Sequence, residues 1–275
     1  MAAADRYDAI ILGGGHNGLI CGAYLAKAGL KVLVLERRHI VGGAAVTEEF
    51  SKGFRASIFS YVMSILHPRI IQDLELRRFG LEVLPANDLF CPLYGEDWIV
   101  FSDDVKKTQA NFARFSKKDA EAYPAFDAYL QESLKVVRKL LFETPVDPTR
   151  GDWREMKETL AFAWRYRKIG NTFYRIVDLL TQSADACLSA WFESDVVKAV
   201  FAYYASIGTF AGPKTPGSAY VLLHHVFGEV NGKSGVWGHA IGGMGAISEA
   251  IAAECRARGV VIETDAAVAQ VQVER

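Results

Sequence analysis

Cysteine is scarce in this 275-residue chain: there are four, Cys21, Cys91, Cys187 and Cys255, all far apart. No two form a CxxC pair, so a dithiol redox centre and a zinc knuckle both lack support. The pattern reads as a reduced, cytoplasmic protein. Excess charge is missing too, with 31 Lys and Arg against 32 Asp and Glu and a net charge of −1. No electrostatic footprint for nucleic acid is visible, and no nucleic-acid partner is expected. No uninterrupted apolar run approaches the ~20 residues needed to span a bilayer. The first strand-like run follows Met1 so closely that a signal or transit peptide has no room. The GxSxG elbow of serine hydrolases and the GxxxxGK[ST] phosphate loop are both absent. His224 and His225 are adjacent, and adjacent residues on a helix point about 100° apart. No acid or cysteine is spaced to complete a metal site around them, so no metal is expected.

The chain is 51% apolar and 23% charged, an ordinary globular balance. Its length suits one large or two modest domains. The first 43 residues carry the strongest signal. An apolar run from Tyr7 to Leu12 leads into Gly13, Gly14, Gly15, His16, Asn17 and Gly18. A helical pattern runs to Gly29, a second apolar run ends in Glu36, and Gly42 and Gly43 follow. This is the sequence form of a dinucleotide-binding βαβ unit. Gly13 allows the tight turn, Gly15 lets a diphosphate approach the backbone, and Gly18 lets helix and strand pack closely. The helix N-terminus favours negative charge. Asn17 is a candidate helix cap or phosphate ligand, and His16 either faces the cofactor or is a solvated loop residue. Glu36 lies 23 residues after Gly13, close to the spacing of about 20 at which an acid binds a ribose diol. Arg37 and Arg38 follow it, and an arginine there can receive a 2′-phosphate, whereas Glu36 would repel one.

Beyond the βαβ unit, residues 50–58 read as extended, 68–79 as helix and 98–101 as strand. Residues 117–142, 153–167, 172–190, 194–205 and 218–227 read as helices, with Ser194 a cap. The last 40 residues return to α/β character: a glycine turn at Gly242, Gly243 and Gly245, a helix over 246–258, and strands over 260–264 and 268–273. The fold class expected is therefore α/β: a discontinuous Rossmann-like domain with an inserted, mainly helical substrate domain. Its parts are 1–80, an inserted 81–230, and an incomplete 231–275. Cys21, on the first helix, is assigned to the core. Tyr203, Tyr204, Phe201 and Phe210 form either core or the lining of an apolar channel.

Three strings carry a family resemblance: residues 13–19 (GGGHNGL), 35–49 (LERRHIVGGAAVTEE) and 235–246 (GVWGHAIGGMGA). Together with the following helix and GVVIETDAAVAQVQVE, they make the chain resemble the phytoene-desaturase-like FAD-dependent oxidoreductases. These are similar in fold to the amine oxidases, and the nearest subgroup is the pyridine nucleotide-disulfide oxidoreductase domain-containing proteins of type 2. The resemblance covers essentially the whole chain. It implies FAD, held by Gly13, Gly15, His16, Asn17, Gly18, Glu36, Arg37, Gly42 and Gly43, with Val268 where the family contacts adenine through backbone. Trp237, His239, Gly242 and Gly243 are the implied pocket residues near the flavin. The subgroup's name suggests disulfide chemistry, which a chain without CxxC does not support.

The implied activity is hydride transfer from a largely apolar small molecule to the flavin, with no dedicated acid or base assigned. Two alternatives stand beside it. One is an NAD(P)-dependent dehydrogenase. The other is a non-catalytic binding module like the GDP dissociation inhibitors, which share this fold. A homodimer is one possible assembly. Family members are much longer and add C-terminal elements to the FAD domain, so the chain reads as an N-terminal portion expected to hold FAD weakly and to expose an apolar edge.

Overall fold

The computed structural model describes residues 6–86 and 88–273. The chain divides into two units: one takes it up to Ala86 and again from Gly228, the other the stretch between, ending at Phe227.

The first unit opens with β1 (Ala9–Leu12), α1 (His16–Lys27) and β2 (Val32–Leu35). β1 and β2 pair in parallel from Ala9 opposite Val32 to Leu12 opposite Leu35. A hairpin follows, β3 (Thr47–Ser51) and β4 (Phe54–Ser57), then α2 (Pro68–Asp73) and β5 (Val83–Ala86). The extended reading of 50–58 thus becomes two strands around a turn at Gly53. The helix expected over 68–79 stops at Asp73, and turns carry the chain on to Gly80.

The second unit comprises β6 (Asp88–Pro92), β7 (Trp98–Ser102), α3 (Val105–Phe112), α4 (Lys117–Leu140), α5 (Trp153–Tyr166), α6 (Thr172–Thr181), α7 (Ala184–Ser189), α8 (Asp195–Tyr204) and α9 (Ser218–His225). Where one helix was expected over 172–190 there are two. Gln182 is extended, and the Ser183 hydroxyl accepts the Ala186 N–H to start α7. Ser194 occupies the cap position of α8 but makes no side-chain cap bond. The core is aromatic: Phe126 lies 5.0 Å from Phe192, which stacks on Phe201 at 5.3 Å. Phe201 therefore belongs to the core, whereas Phe210 projects fully into solvent and lines no channel. Asp119, fully buried at the start of α4, accepts the backbone N–H groups of Glu193 and Ser194, each at 2.9 Å. This ties the start of α8 to α4.

The first unit resumes with β8 (Glu229–Val230), β9 (Lys233–Ser234), β10 (Trp237–Ala240), α10 (Gly245–Ala257) and β11 (Val261–Glu263). β10 pairs antiparallel with β5, and β11 adds in parallel to β2, giving the sheet order β1-β2-β11. β2 is the central strand, and Val32, Leu33 and Val34 are all buried, as expected of a strand covered on both faces. α1 and α10 pack together: Leu19 and Ala23 share a core with Ile247, Ile251 and Cys255, and the Cys255 thiol donates to the Leu19 carbonyl at 3.2 Å. Ile10 and Leu12 of β1 are 56% and 54% exposed. An apolar strand face thus meets solvent at the sheet edge.

Two expectations fail in this unit. Cys21 is exposed rather than in the core. α1 buries Leu19, Gly22 and Ala23, and residue 21 lies on the opposite side of a helix with 3.6 residues per turn. Residues 268–273 form no strand, and Val268, Val271 and Val273 are all exposed. β-propensity makes a strand only where a neighbour completes the ladder, and none does so here among the described residues.

Candidate functional site

The glycine loop connects β1 to α1. Gly13 has a φ of +107° and donates its N–H to the Leu35 carbonyl at 2.8 Å, fixing the loop to the end of β2. Gly15 is the N-cap of α1, in extended conformation and without a side-chain cap bond. Asn17 is therefore a residue of the first turn and not the cap; His16 is the first helical residue. The first turn contains no acid. Its N–H groups and the helix dipole suit an anion. Gly18 is constrained by packing: a Cβ there would lie 2.1 Å from the Gly13 carbonyl oxygen.

The second glycine pair closes the loop from the other side. Gly42 donates to the Gly14 carbonyl at 2.8 Å, and Gly15 and Gly42 form an isolated parallel bridge. Gly42 has a φ of +119°, and a Cβ on Gly43 would lie 3.2 Å from the Gly15 Cα. The two backbone segments abut, leaving no room for side chains between them.

Glu36 follows β2 and is 7% exposed. One of its carboxylate oxygens accepts the Gly14 N–H at 2.7 Å, and the other accepts the Arg38 N–H at 2.9 Å. The acid holds the glycine loop in shape and keeps lone pairs for further donors. Arg38 is committed to Glu48, guanidinium to carboxylate at 2.7 Å, and Arg37 is exposed. The segment after β11 folds back over this point: Ala266 donates to the Glu36 carbonyl at 2.9 Å and Asp265 to the Arg38 carbonyl at 3.0 Å. Val268 lies two residues further on.

The chain from Gly43 to Thr47 leads to a second feature, the glycine turn before α10. Gly242 and Gly243 have φ values of +87° and +81°. The Ser57 hydroxyl accepts the Met244 N–H at 3.0 Å, and the Thr47 hydroxyl accepts the Gly245 N–H at 2.9 Å. Ser248 donates to the Ala45 carbonyl at 2.7 Å. A Cβ on Gly243 would lie 2.4 Å from the Thr47 hydroxyl oxygen. Beside this turn is a hollow of about 430 Å³ whose lining includes Thr47, Arg55, Tyr61, His239, Gly242 and Gly243. The structure brings His239, Gly242 and Gly243 together here. Trp237, half-buried on β10 opposite Ala86, is not part of the lining. Thr47, Ser57 and Ser248 escaped the sequence reading, because single hydroxyl residues in strands and helices carry no motif.

The glycine loop, α1 and the acid after β2 define a dinucleotide-binding Rossmann-like domain, and residues 11–76 match the NAD(P)-binding Rossmann-like domain family. The particular resemblance is also borne out. The chain is 40% identical over 283 residues to pyridine nucleotide-disulfide oxidoreductase domain-containing protein 2 of Rattus norvegicus, covering 98% of this chain and 49% of that protein. It is 31% identical over 228 residues to a limonene dehydrogenase polypeptide of Castellaniella defragrans, covering 82% of this chain and 39% of the relative. Among solved structures, a putrescine oxidase double mutant from a redesign of cofactor binding superposes with a TM-score of 0.58 at 17% identity. That superposition covers 94% of this chain and 51% of the oxidase. The chain spans about half the length of the curated relatives it matches. Its relatives are oxidoreductases.

Proposed function

We propose that this chain is the dinucleotide-holding part of an FAD-dependent oxidoreductase that removes hydride from an apolar small molecule. The observation that carries the reading is the glycine cradle. Gly13, Gly15, Gly42 and Gly43 present backbone where side chains would block a diphosphate, next to an N-terminus that no side chain caps. The residues present fit such a group. Glu36 accepts ribose hydroxyls with the lone pairs left by Gly14 and Arg38, while the exposed Arg37 stands beside it. Val268 offers backbone to the adenine as the chain passes Glu36. His239, Gly242 and Gly243 line the hollow in which the reacting end is read to lie. FAD, when bound, supplies the two-electron acceptor; the protein supplies orientation and exclusion of water. FAD is favoured over NAD(P) by the second glycine pair and by the relatives. Arg38, committed to Glu48, is poorly placed to take a 2′-phosphate. A relative that bears the name limonene dehydrogenase supports the apolar substrate.

The test is the absorbance of the purified chain between about 350 and 500 nm, before and after addition of FAD and desalting, with thermal shifts for FAD and NADPH measured in parallel. The reading expects FAD, not NADPH, to raise the melting temperature, with a flavin band that washes out in part on desalting. Stabilisation by NADPH alone would replace it with a dehydrogenase reading. No response to either would favour a binding module of the GDP-dissociation-inhibitor kind.

A further inference from the structure

Helix α5 turns its apolar side away from the protein. None of its residues is fully buried. Glu155, Thr159, Phe162 and Tyr166 are half-buried and share one face. Phe162 and Tyr166 meet with ring centroids 4.7 Å apart, and the Tyr166 hydroxyl donates to Glu143 at 3.1 Å. The opposite face carries Trp153, Met156, Leu160 and Trp164 at helical spacing, exposed by 77, 49, 65 and 67%. A helix that shows solvent its apolar stripe needs another surface to cover it.

The charges around the stripe say what that surface is. Residues 153–168 hold five cations (Arg154, Lys157, Arg165, Arg167 and Lys168) against two carboxylates, Glu155 and Glu158, in a chain whose net charge is −1. Arg154, Lys157 and Lys168 make no ion pair among the described residues, and Arg167 lays its guanidinium 3.8 Å from the centre of the Trp164 ring. Phe173 and Tyr174, at the start of α6, add two more exposed rings. Lysine is depleted at protein–protein interfaces. Tryptophan at both ends of an apolar stripe, flanked by Lys and Arg with flexible stems, suits the boundary between headgroups and acyl chains. No described helix is long and apolar enough to cross a membrane, which fits a helix that lies on the surface.

We infer that the α5 face binds an anionic lipid bilayer, with Trp153, Met156, Leu160 and Trp164 entering the interface and Arg154, Lys157 and Lys168 meeting the headgroups. This does not depend on the cofactor reading. The test is co-sedimentation of the chain with phosphatidylcholine vesicles, with and without phosphatidylglycerol. Binding is expected to the anionic vesicles and to weaken at high salt. Trp153→Ala/Leu160→Ser/Trp164→Ala should lower partitioning at least tenfold with circular dichroism unchanged, because none of the three side chains is buried. Arg154→Ala/Lys157→Ala should lower it about thirtyfold. A control on another exposed apolar pair, Phe50→Ser/Phe54→Ser, should leave it intact. Absence of binding to anionic vesicles overturns the inference, as does a triple variant that binds like the parent or a control that loses as much. A parent dimer that the triple variant converts to monomer in sedimentation equilibrium also overturns it, assigning the face to a second copy.

Discussion

The same substitution, four residues apart on α1, should have opposite outcomes. At Gly18 a new Cβ would lie 2.1 Å from the Gly13 carbonyl oxygen, against a normal contact of about 3.3 Å. The obstacle is backbone, held in place by the Gly13 N–H bond to Leu35. Helix and loop would have to part by roughly an ångström, and overpacking of this kind costs about 1–3 kcal/mol. At Gly22 the new Cβ would meet the Ile11 Cδ1 and Val34 Cγ2 methyls at 3.3 and 3.4 Å, side-chain ends that can yield. Alanine is favoured over glycine inside a helix by about 0.8–1 kcal/mol, which offsets the crowding. Gly18→Ala should thus lower the melting temperature by roughly 4–8 °C for a ~2 kcal/mol loss, and weaken dinucleotide binding. Gly22→Ala should leave it unchanged or slightly raised. Thermal melts followed by circular dichroism, with the FAD shift measured on each variant, decide the matter. If Gly18→Ala were as stable as the parent, or Gly22→Ala the worse of the two, the packing of α1 on the loop would not be as described.

Two further outcomes follow from buried polar groups and thiols. Glu36→Gln keeps one acceptor but turns an amide NH₂ toward a backbone N–H, either Gly14 or Arg38; leaving that donor unpaired should cost about 1–3 kcal/mol in urea denaturation and loosen the loop before any ligand is added. Cys21 should alkylate readily with iodoacetamide at neutral pH, while Cys187 and Cys255 should stay unmodified until unfolding, which peptide mass spectrometry reads directly. Burial pushes those two thiols up to about 11 and about 12 from an ordinary 9.0. Because the unfolded chain ionises them first, the fold should keep their contribution below pH 9 and lose it as the pH rises toward 11 and 12.

The dinucleotide half of the site was legible because its information is contiguous. Gly13, Gly15 and Gly18, the apolar β1 and β2, and an acid at the strand end fix a turn, a helix start and a parallel pair through local sterics and short-range hydrogen bonds. The helices of the second unit were legible for the same reason, since a 3.6-residue period survives without a neighbour. Tertiary structure decided whatever depended on which neighbour arrived. It turned Glu36 inward onto Gly14 and Arg38, so that the acid shapes the loop as well as facing a ligand. It set the Thr47 and Ser57 hydroxyls on the N–H groups at the start of α10, joining residues some 190 positions apart in sequence. It left Cys21 outward, because α1 buries a face chosen by α10 and the sheet. It left 268–273 without a ladder, because a strand exists only against another strand. It also set the apolar stripe of α5 toward solvent: the sequence determines that such a helix has two faces, and packing alone determines which of them the protein keeps.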